Sequence, residues 1–316
     1  FLVGLIGAFF ATLLLFTSTA VPVKMLPFDN KGEFSLVVDM PEGSALPETV
    51  NATHQLAMAM GQLPEVTEMQ TYAGTAQPFD FNGMVRHYYL RSDPWQGEVH
   101  VQLLHKDDRE RSSHEIASAA RELAAPIARR LGATVTVVEM PPGPPVMQTV
   151  VAEIYGPDPE TRRQVARDMT EIFHATEGLA DVDNYMQTPY EVWRFQVDTQ
   201  KAVRNGVSVD TIVRSLDMAL GGHKLGDVKG ASAALEPTFI VLQIPLEERA
   251  DTGRLVDLPI PTADGGVLPL AELGRFVKTE QDPVIHHKDL RPVEFVVGDA
   301  VGRLGAPIYP MLKVEE

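Results

Sequence analysis

The sequence predicts an α+β protein: an apolar N-terminal helix, then two lobes of strands and helices, the second interrupted by a small module. Three observations predict it. Residues 1–23 carry no charged side chain, a strand-helix-strand order occurs twice, and a proline-rich junction, Pro141-Pro142-Gly143-Pro144-Pro145, separates the two occurrences. Nearly 300 residues follow the apolar run and 44% of the chain is hydrophobic, enough for two or three domains with real cores.

The run FLVGLIGAFFATLLLFTSTAVPV ends at Lys24. About 20 apolar residues cross roughly 30 Å of hydrocarbon, so 1–23 is expected to be a transmembrane helix. A signal peptide is the competing reading, but it would carry a basic segment ahead of its apolar core, and no Lys or Arg precedes this run. The chain does not open with Met and stops at Lys313-Val314-Glu315-Glu316, which suggests a piece of a longer protein.

In the first lobe, residues 32–40 read as a strand. Pro41-Glu42-Gly43 then turns the chain, Ser44 is a candidate N-cap, and a helix tolerates Pro47 in its first turn. Leu63-Pro64 breaks that helix before a strand through Thr71. Residues 85–90 and 98–104 read as strands, the latter alternating apolar Val99, Val101 and Leu103 with polar His100 and Gln102. Ile116, Ala119, Ala120, Leu123, Ala124 and Ile127 form one helical stripe, which Pro126 is expected to kink or end early. A strand over 133–140 completes a β-α-β-β-α-β plan, the split ferredoxin-like sandwich.

The second lobe repeats this grammar. Strand 149–155 leads through Gly156-Pro157 to Asp158 as N-cap, with Pro159 at the first helical position. Both first helices of the lobes open with Pro-Glu-Thr, at Pro47 and Pro159. Trp193, Phe195 and Val197 share a strand face, and Ser208 caps a helix carrying Ile212, Leu216 and Leu220 that stops at Gly221-Gly222. From His223 to Lys278 the pattern changes to short strands and turns, and a strand at 293–297 is still needed to finish the second sheet. The expected division is therefore helix 1–23, first lobe 24–140, connector 141–147, second lobe 148–222 and 279–300, inserted module 223–278 and exit segment 301–316.

Composition removes several function classes. Acidic residues outnumber basic ones 43 to 27, a net charge of −16 that repels nucleic acid. With no Cys there are no disulfides and no thiolate metal sites. No Gly-x-Ser-x-Gly, His-Glu-x-x-His or phosphate-loop pattern occurs, and 105–111 reads as a solvated turn, so an enzyme and a cofactor are not expected.

Leu26-Pro27-Phe28-Asp29-Asn30-Lys31-Gly32-Glu33-Phe34, Asp39-Met40-Pro41-Glu42-Gly43-Ser44, Gly206-Val207-Ser208 and Ala219-Leu220-Gly221-Gly222 occur in that order. Together with the order of elements, they resemble the resistance-nodulation-division (RND) efflux transporters, from the seventh transmembrane helix through the second large periplasmic loop. The resemblance implies a homotrimeric, proton-driven exporter of the bacterial inner membrane, its bulk in the periplasm, partnered by a periplasmic adaptor and an outer-membrane channel. The two lobes would be porter lobes, the module a docking module bounded at Gly221 and Gly222, and the connector 141–145 a hinge border. The position of the family's switch loop falls on a substrate-path segment containing Tyr72, Gly74, Gln77, Phe79, Phe81, Asn82 and Gly83. Taken alone its aromatics favour packing the loop onto the sheet; with the resemblance they favour contact with an apolar ligand. Residues 81–90 depart from the drug pumps, so pocket residues do not transfer.

Small organic compounds are the expected cargo. Copper or silver export is the alternative, yet thioethers must converge on a soft ion, and Met58, Met60 and Met169 scatter over helices, leaving Met147 as a weak candidate. Adjacent His286 and His287 point to opposite strand faces. A membrane-anchored adaptor ectodomain that transports nothing is the remaining reading.

Overall fold

A computed structural model of the chain describes residues 1–18, 21, 30–139, 147–229, 237–302 and 305–314. The connector Pro141, Pro142, Gly143, Pro144 and Pro145 lies outside them. Helix α1 covers Leu2–Thr17, 16 residues with exposed apolar side chains. At 1.5 Å per residue that is about 24 Å. Among the described residues no helix is long and apolar enough to cross a membrane; positions 19, 20, 22 and 23 of the expected span lie outside them.

The first sheet is built from β1 (Glu33–Asp39), α2 (Leu46–Met60), β2 (Val66–Ala73), α3 (Phe81–Arg86), β3 (Gln96–Leu103), α4 (Ser113–Leu131) and β4 (Thr134–Val138). Its strands are antiparallel in the order β2-β3-β1-β4. Because side chains alternate along a strand, Phe34, Leu36 and Val38 of β1 and Val99, Val101 and Leu103 of β3 enter one core with Leu56, Met60, Ile116 and Ala120 from α2 and α4. Ser35, Val37 and Asp39, opposite His100, Glu98 and Gln96, take the helix-free face.

Three local expectations are corrected. Residues 85–90 are not a strand: Asp80 caps α3 by accepting from Gly83 N at 2.6 Å, and His87 ends it in the left-handed region before a short 3-10 turn, Tyr88–Leu90. The first helix is capped at Ala45, where Glu48 accepts from the backbone N–H, and not at Ser44. Helix α4 runs through Pro126 to Gly132, because a Ser112/Glu115 capping box and the left-handed Gly132 close both ends around a buried stripe.

The second sheet joins β5 (Val150–Tyr155) and β6 (Leu179–Asn184), linked by α5 (Pro159–Ala175), which Asp158 caps as expected. The chain then enters a second compact unit, Glu191–Gln281. It holds β7 (Glu191–Val197), α6 (Thr199–Arg204), α7 (Val209–Gly221), β8 (His223–Asp227), β9 (Phe239–Leu242), α8 (Leu246–Arg249), α9 (Thr252–Leu255), β10 (Pro259–Pro261), β11 (Val267–Pro269) and β12 (Gly274–Glu280). Strand β7 pairs with β12, and Ile212 of α7 shares a core with Ile260, Leu270 and Leu273. This unit therefore takes in β7, α6 and α7, which the sequence pattern had put in the second lobe. The chain returns as β13 (His287–Lys288), β14 (Arg291–Ala300) and α10 (Ile308–Val314). Strand β14 is the expected closing strand, but it lies centrally, antiparallel to both β5 and β6. Val296 and Val150 pack on Phe173 of α5, with Val314 of α10 beside them.

Two buried ion pairs link the sheets within the first unit, which contains both. Arg121 of α4 donates from Nε to Asp181 of β6 at 2.8 Å and from Nη2 to the Val137 carbonyl at 3.0 Å. Arg86 of α3 lies 3.6 Å from Asp299 of β14. Removing one partner of a buried pair strands the other charge, at about 3–5 kcal/mol. Arg121→Met is expected to lower the thermal midpoint by several degrees, and Arg121→Met/Asp181→Asn to recover much of the loss; a single variant as stable as the parent would contradict this pairing.

Candidate functional site

Between the sheet faces that α2, α4 and α5 leave uncovered lies a cleft of about 660 Å³. One wall carries Val37 and Asp39 of β1, Thr134 and Thr136 of β4, and Arg86, Tyr88 and Arg91 from α3 and the turn after it. The other carries Asp183, Tyr185, Met186, His286 and Val297. Local chain chemistry sets the positions. Asp39 ends β1; Glu42 stands in the turn that follows, where Gly43 has φ +86 and a Cβ would lie 3.1 Å from the Tyr190 ring. At the rim, Thr188 N donates to Glu42 at 3.4 Å and the Trp95 and Tyr190 rings pack edge-on at 5.0 Å. On the far wall Tyr185, His286 and Phe295 form a ring cluster with centroids about 6 Å apart.

The charges are arranged unevenly. Arg91 grips Asp39 with two hydrogen bonds, Nη2 to Oδ1 at 2.8 Å and Nη1 to Oδ2 at 3.2 Å. Among the described residues Asp183 has no such counterion: its Oδ1 accepts from the N–H of Asn184 at 2.8 Å. Burial pushes the Asp183 carboxyl up to about 7, and Asp39 and Glu42 push the same way while Asn184 N–H and Arg91 oppose them. Glu98 of β3, 1% exposed, is likewise pushed up to about 6 by burial against the pull of Arg91.

The expected substrate-path residues fall beside this cleft and not among its lining. Gly74, at φ +66, turns the chain where a Cβ would stand 2.8 Å from Leu46 Cδ1. Gln77 is buried: its N–H donates to Glu98 Oε2 at 3.3 Å and its amide to Asp80 at 3.2 Å. Tyr72 donates to Gln70 on β2, and Phe79 is 68% exposed against the Tyr89 ring. Phe81 and Asn82 open α3, and Gly83 N–H makes its cap bond. The loop thus meets the site through Gln77 and Glu98 rather than through its aromatics. Met147 packs on Val293, Phe295 and Val297. Gly221 ends α7, and Gly222, at φ +82, starts the turn into β8. His286 lines the cleft and His287 sits in β13.

Asp39, Arg91, Glu98 and Asp183 were missed as site residues. The available signal was acidic residues inside otherwise apolar strands, Glu98 in β3 and Asp181 with Asp183 in β6. Because Asp183 and Glu98 hold protons more tightly when folded, the folded state binds more protons between the ordinary carboxyl range and about pH 7. Their stabilising contribution is complete below that range and is lost as pH rises through 6 to 7. Asp183→Asn is therefore expected to stabilise the chain by about 1–3 kcal/mol at pH 7.5 and negligibly near pH 4. Thermal unfolding at the two pH values checks this, and an equal shift at both would contradict it.

Over 263 residues the chain is 20% identical to the cobalt-zinc-cadmium resistance protein CzcA of Cupriavidus metallidurans, covering 79% of this chain and 24% of that protein. It is 20% identical over 267 residues to protein HelA of Legionella pneumophila, covering 81% and 24%. Two crystal forms of a heavy metal efflux pump share its fold, with TM-scores of 0.71 and 0.72 at 21% identity, over 98% of this chain and 32% of theirs. The chain thus spans about a quarter of the length of the curated relatives it matches. The AcrB/AcrD/AcrF family profile matches residues 1–306, nearly the whole sequence, and the chain belongs to that family of RND permeases.

Proposed function

We propose that this chain is the periplasmic substrate-capture and docking portion of a proton-driven RND efflux pump, and that its cargo is a cation. In this reading the two sheets are ferredoxin-like porter lobes and the unit Glu191–Gln281 is the docking module. The pump works in the bacterial inner membrane as a homotrimer, with a periplasmic adaptor and an outer-membrane channel, and does no covalent chemistry. One observation carries the cargo assignment: carboxylates face the cleft from both walls, Asp39 and Glu42 on one side and Asp183 on the other, and among the described residues Asp183 has no ion-pair partner.

A divalent metal fits better than the organic compounds expected from the sequence. The relatives named above include a cobalt-zinc-cadmium resistance protein and heavy metal efflux pumps. The cleft offers oxygen and imidazole donors, Asp39, Glu42, Asp183 and His286, and these suit borderline ions more than copper or silver. Among the described residues Met40 and Met186 line the cleft, while Met147, the weak soft-metal candidate, packs in an apolar cluster. Among the described residues no three His, Cys, Asp or Glu side chains stand together as a metal-holding group. The ligands would have to gather as the cleft closes, a rigid-body movement of one lobe on the other. The second reading, an organic cation, is favoured by the aromatic lining, Tyr88, Trp95 and Tyr185.

The test is protection of a pump-deficient host by the intact permease against zinc, cobalt, cadmium, copper and silver salts and against ethidium. Protection against zinc, cobalt or cadmium is expected, with Asp183→Asn losing it by about tenfold or more; protection by Asp183→Asn equal to the parent would overturn the site, and protection against nothing, with a tight protein partner, would favour an adaptor. Phe79→Ala/Phe81→Ala is expected to change selectivity among organic cations without lowering trimer yield, measured in the same host, and unchanged export of every compound would remove the loop from the substrate path.

A further inference from the structure

The cleft already holds a cation of its own. The Arg91 guanidinium, 11% exposed, is bound to Asp39 through both Nη atoms and to the Val38 carbonyl from Nη2 at 2.9 Å. Among the described residues its Nε has no hydrogen-bond partner. Neither has Oε1 of Glu98, whose side chain is 1% exposed and lies 3.5 Å from that Nε. Two buried, oppositely charged atoms thus face each other just beyond a full hydrogen bond, at a cost that burial makes substantial. The other Glu98 oxygen is already held by Gln77 N–H, so Oε1 is the free position.

We propose that Arg91 is a resident counterion that cargo displaces: a cation entering the cleft takes Asp39, and Arg91 moves onto Glu98. The proposal rests on the cation reading above and names how that site is regulated. With the cleft empty, Arg91 neutralises Asp39, so the first wall carries no free carboxylate at that point. A cation held by Asp183 from the other wall competes with the guanidinium for Asp39. Arg91 need shift by less than about 1 Å to bring Nε into a charge-assisted bond of about 2.7–2.9 Å with Glu98. Its Nη2 bond to the Val38 carbonyl can persist through so small a movement. Glu98 thus lowers the cost of releasing Asp39, and Gln77, by holding Glu98, ties the neighbouring loop to occupancy of the cleft. Unlike a permanently free pair of carboxylates, this arrangement binds its ligand only when both walls are close enough to share it.

The experiment is equilibrium binding of radioactive zinc, and separately of ethidium by fluorescence polarisation, to the intact permease in nanodiscs. Arg91→Gln frees Asp39 and is expected to bind the accepted probe at least about threefold more tightly than the parent. Glu98→Gln removes the receiving charge and is expected to bind about tenfold more weakly. In Arg91→Gln/Glu98→Gln the penalty should vanish, because there is no guanidinium left to receive. Loss of the guanidinium charge tightens cation binding by itself, so the coupling decides: the Glu98→Gln loss must disappear when Arg91 is absent. Weaker binding by Arg91→Gln, or a Glu98→Gln loss that persists undiminished in the double variant, overturns the proposal. Parent binding that Asp183→Asn abolishes and Arg91→Gln leaves unchanged sinks the displacement alone and leaves the cation site standing. Binding of neither probe by the parent removes the cation reading and the displacement with it.

Discussion

In the first unit α2 and α4 cover one face of the first sheet and α5 one face of the second, and the opposite faces, with α3 beside them, border the cleft. Polar groups between them must find partners there or remain open to solvent. Arg121 shows the first solution, a fork shared among Asp181, the Val137 carbonyl and, at 3.7 Å, Glu139, which in turn pairs with His114. Asp181 reaches it from a left-handed backbone, φ 50, an unusual conformation for a residue other than glycine, which the pairing holds in place. Arg86 is the looser link: 3.6 Å from Asp299, with its Nε and Nη1 unpartnered. These pairs contribute little net stability over an apolar contact of the same size. Their effect is to fix where the sheets meet, leaving the cleft open where Asp39, Glu42 and Asp183 stand.

The cleft's character follows from that geometry. Alternation in β1 and β3 sends every apolar residue of one parity to the helices and leaves Asp39 and Glu98 on the bare face. A carboxylate facing the cleft is then either neutralised locally, as Asp39 is by Arg91, or raised toward neutrality, as Asp183 is on the opposite wall. A cation is the ligand that relieves the second condition and exploits the first. The loop identified from sequence stands one contact away, through Gln77 and Glu98, so it is placed to sense the cleft without lining it.

Much of the fold was legible because local and global signals agreed. Asp158 followed by Pro159 is an N-terminal helix signal that the second sheet also needs, and the apolar run at 293–297 belonged to a sheet that β5 and β6 left unfinished. Legibility failed where a local signal was outvoted. Val85 to Leu90 has strand-forming residues, yet Asp80 and Gly83 nucleate a helical turn. Pro126 forfeits one hydrogen bond in a helix secured at both ends. Strand β7 reads like any half-buried strand, and only its pairing with β12 assigns it to the second unit. The site was less legible still. Its charged residues are far apart in sequence, and the aromatic loop, the strongest local signal, proved adjacent to the cleft and not within it.

In this mechanism the cargo sits between Asp39 and Asp183. The most direct measurement is a cryo-electron microscopy map of the intact permease with zinc, paired with X-ray absorption at the zinc edge. An ion held between these two carboxylates with oxygen and nitrogen ligands is the expected result. An ion coordinated by sulfur at Met147, or one bound away from both sheets, would contradict it.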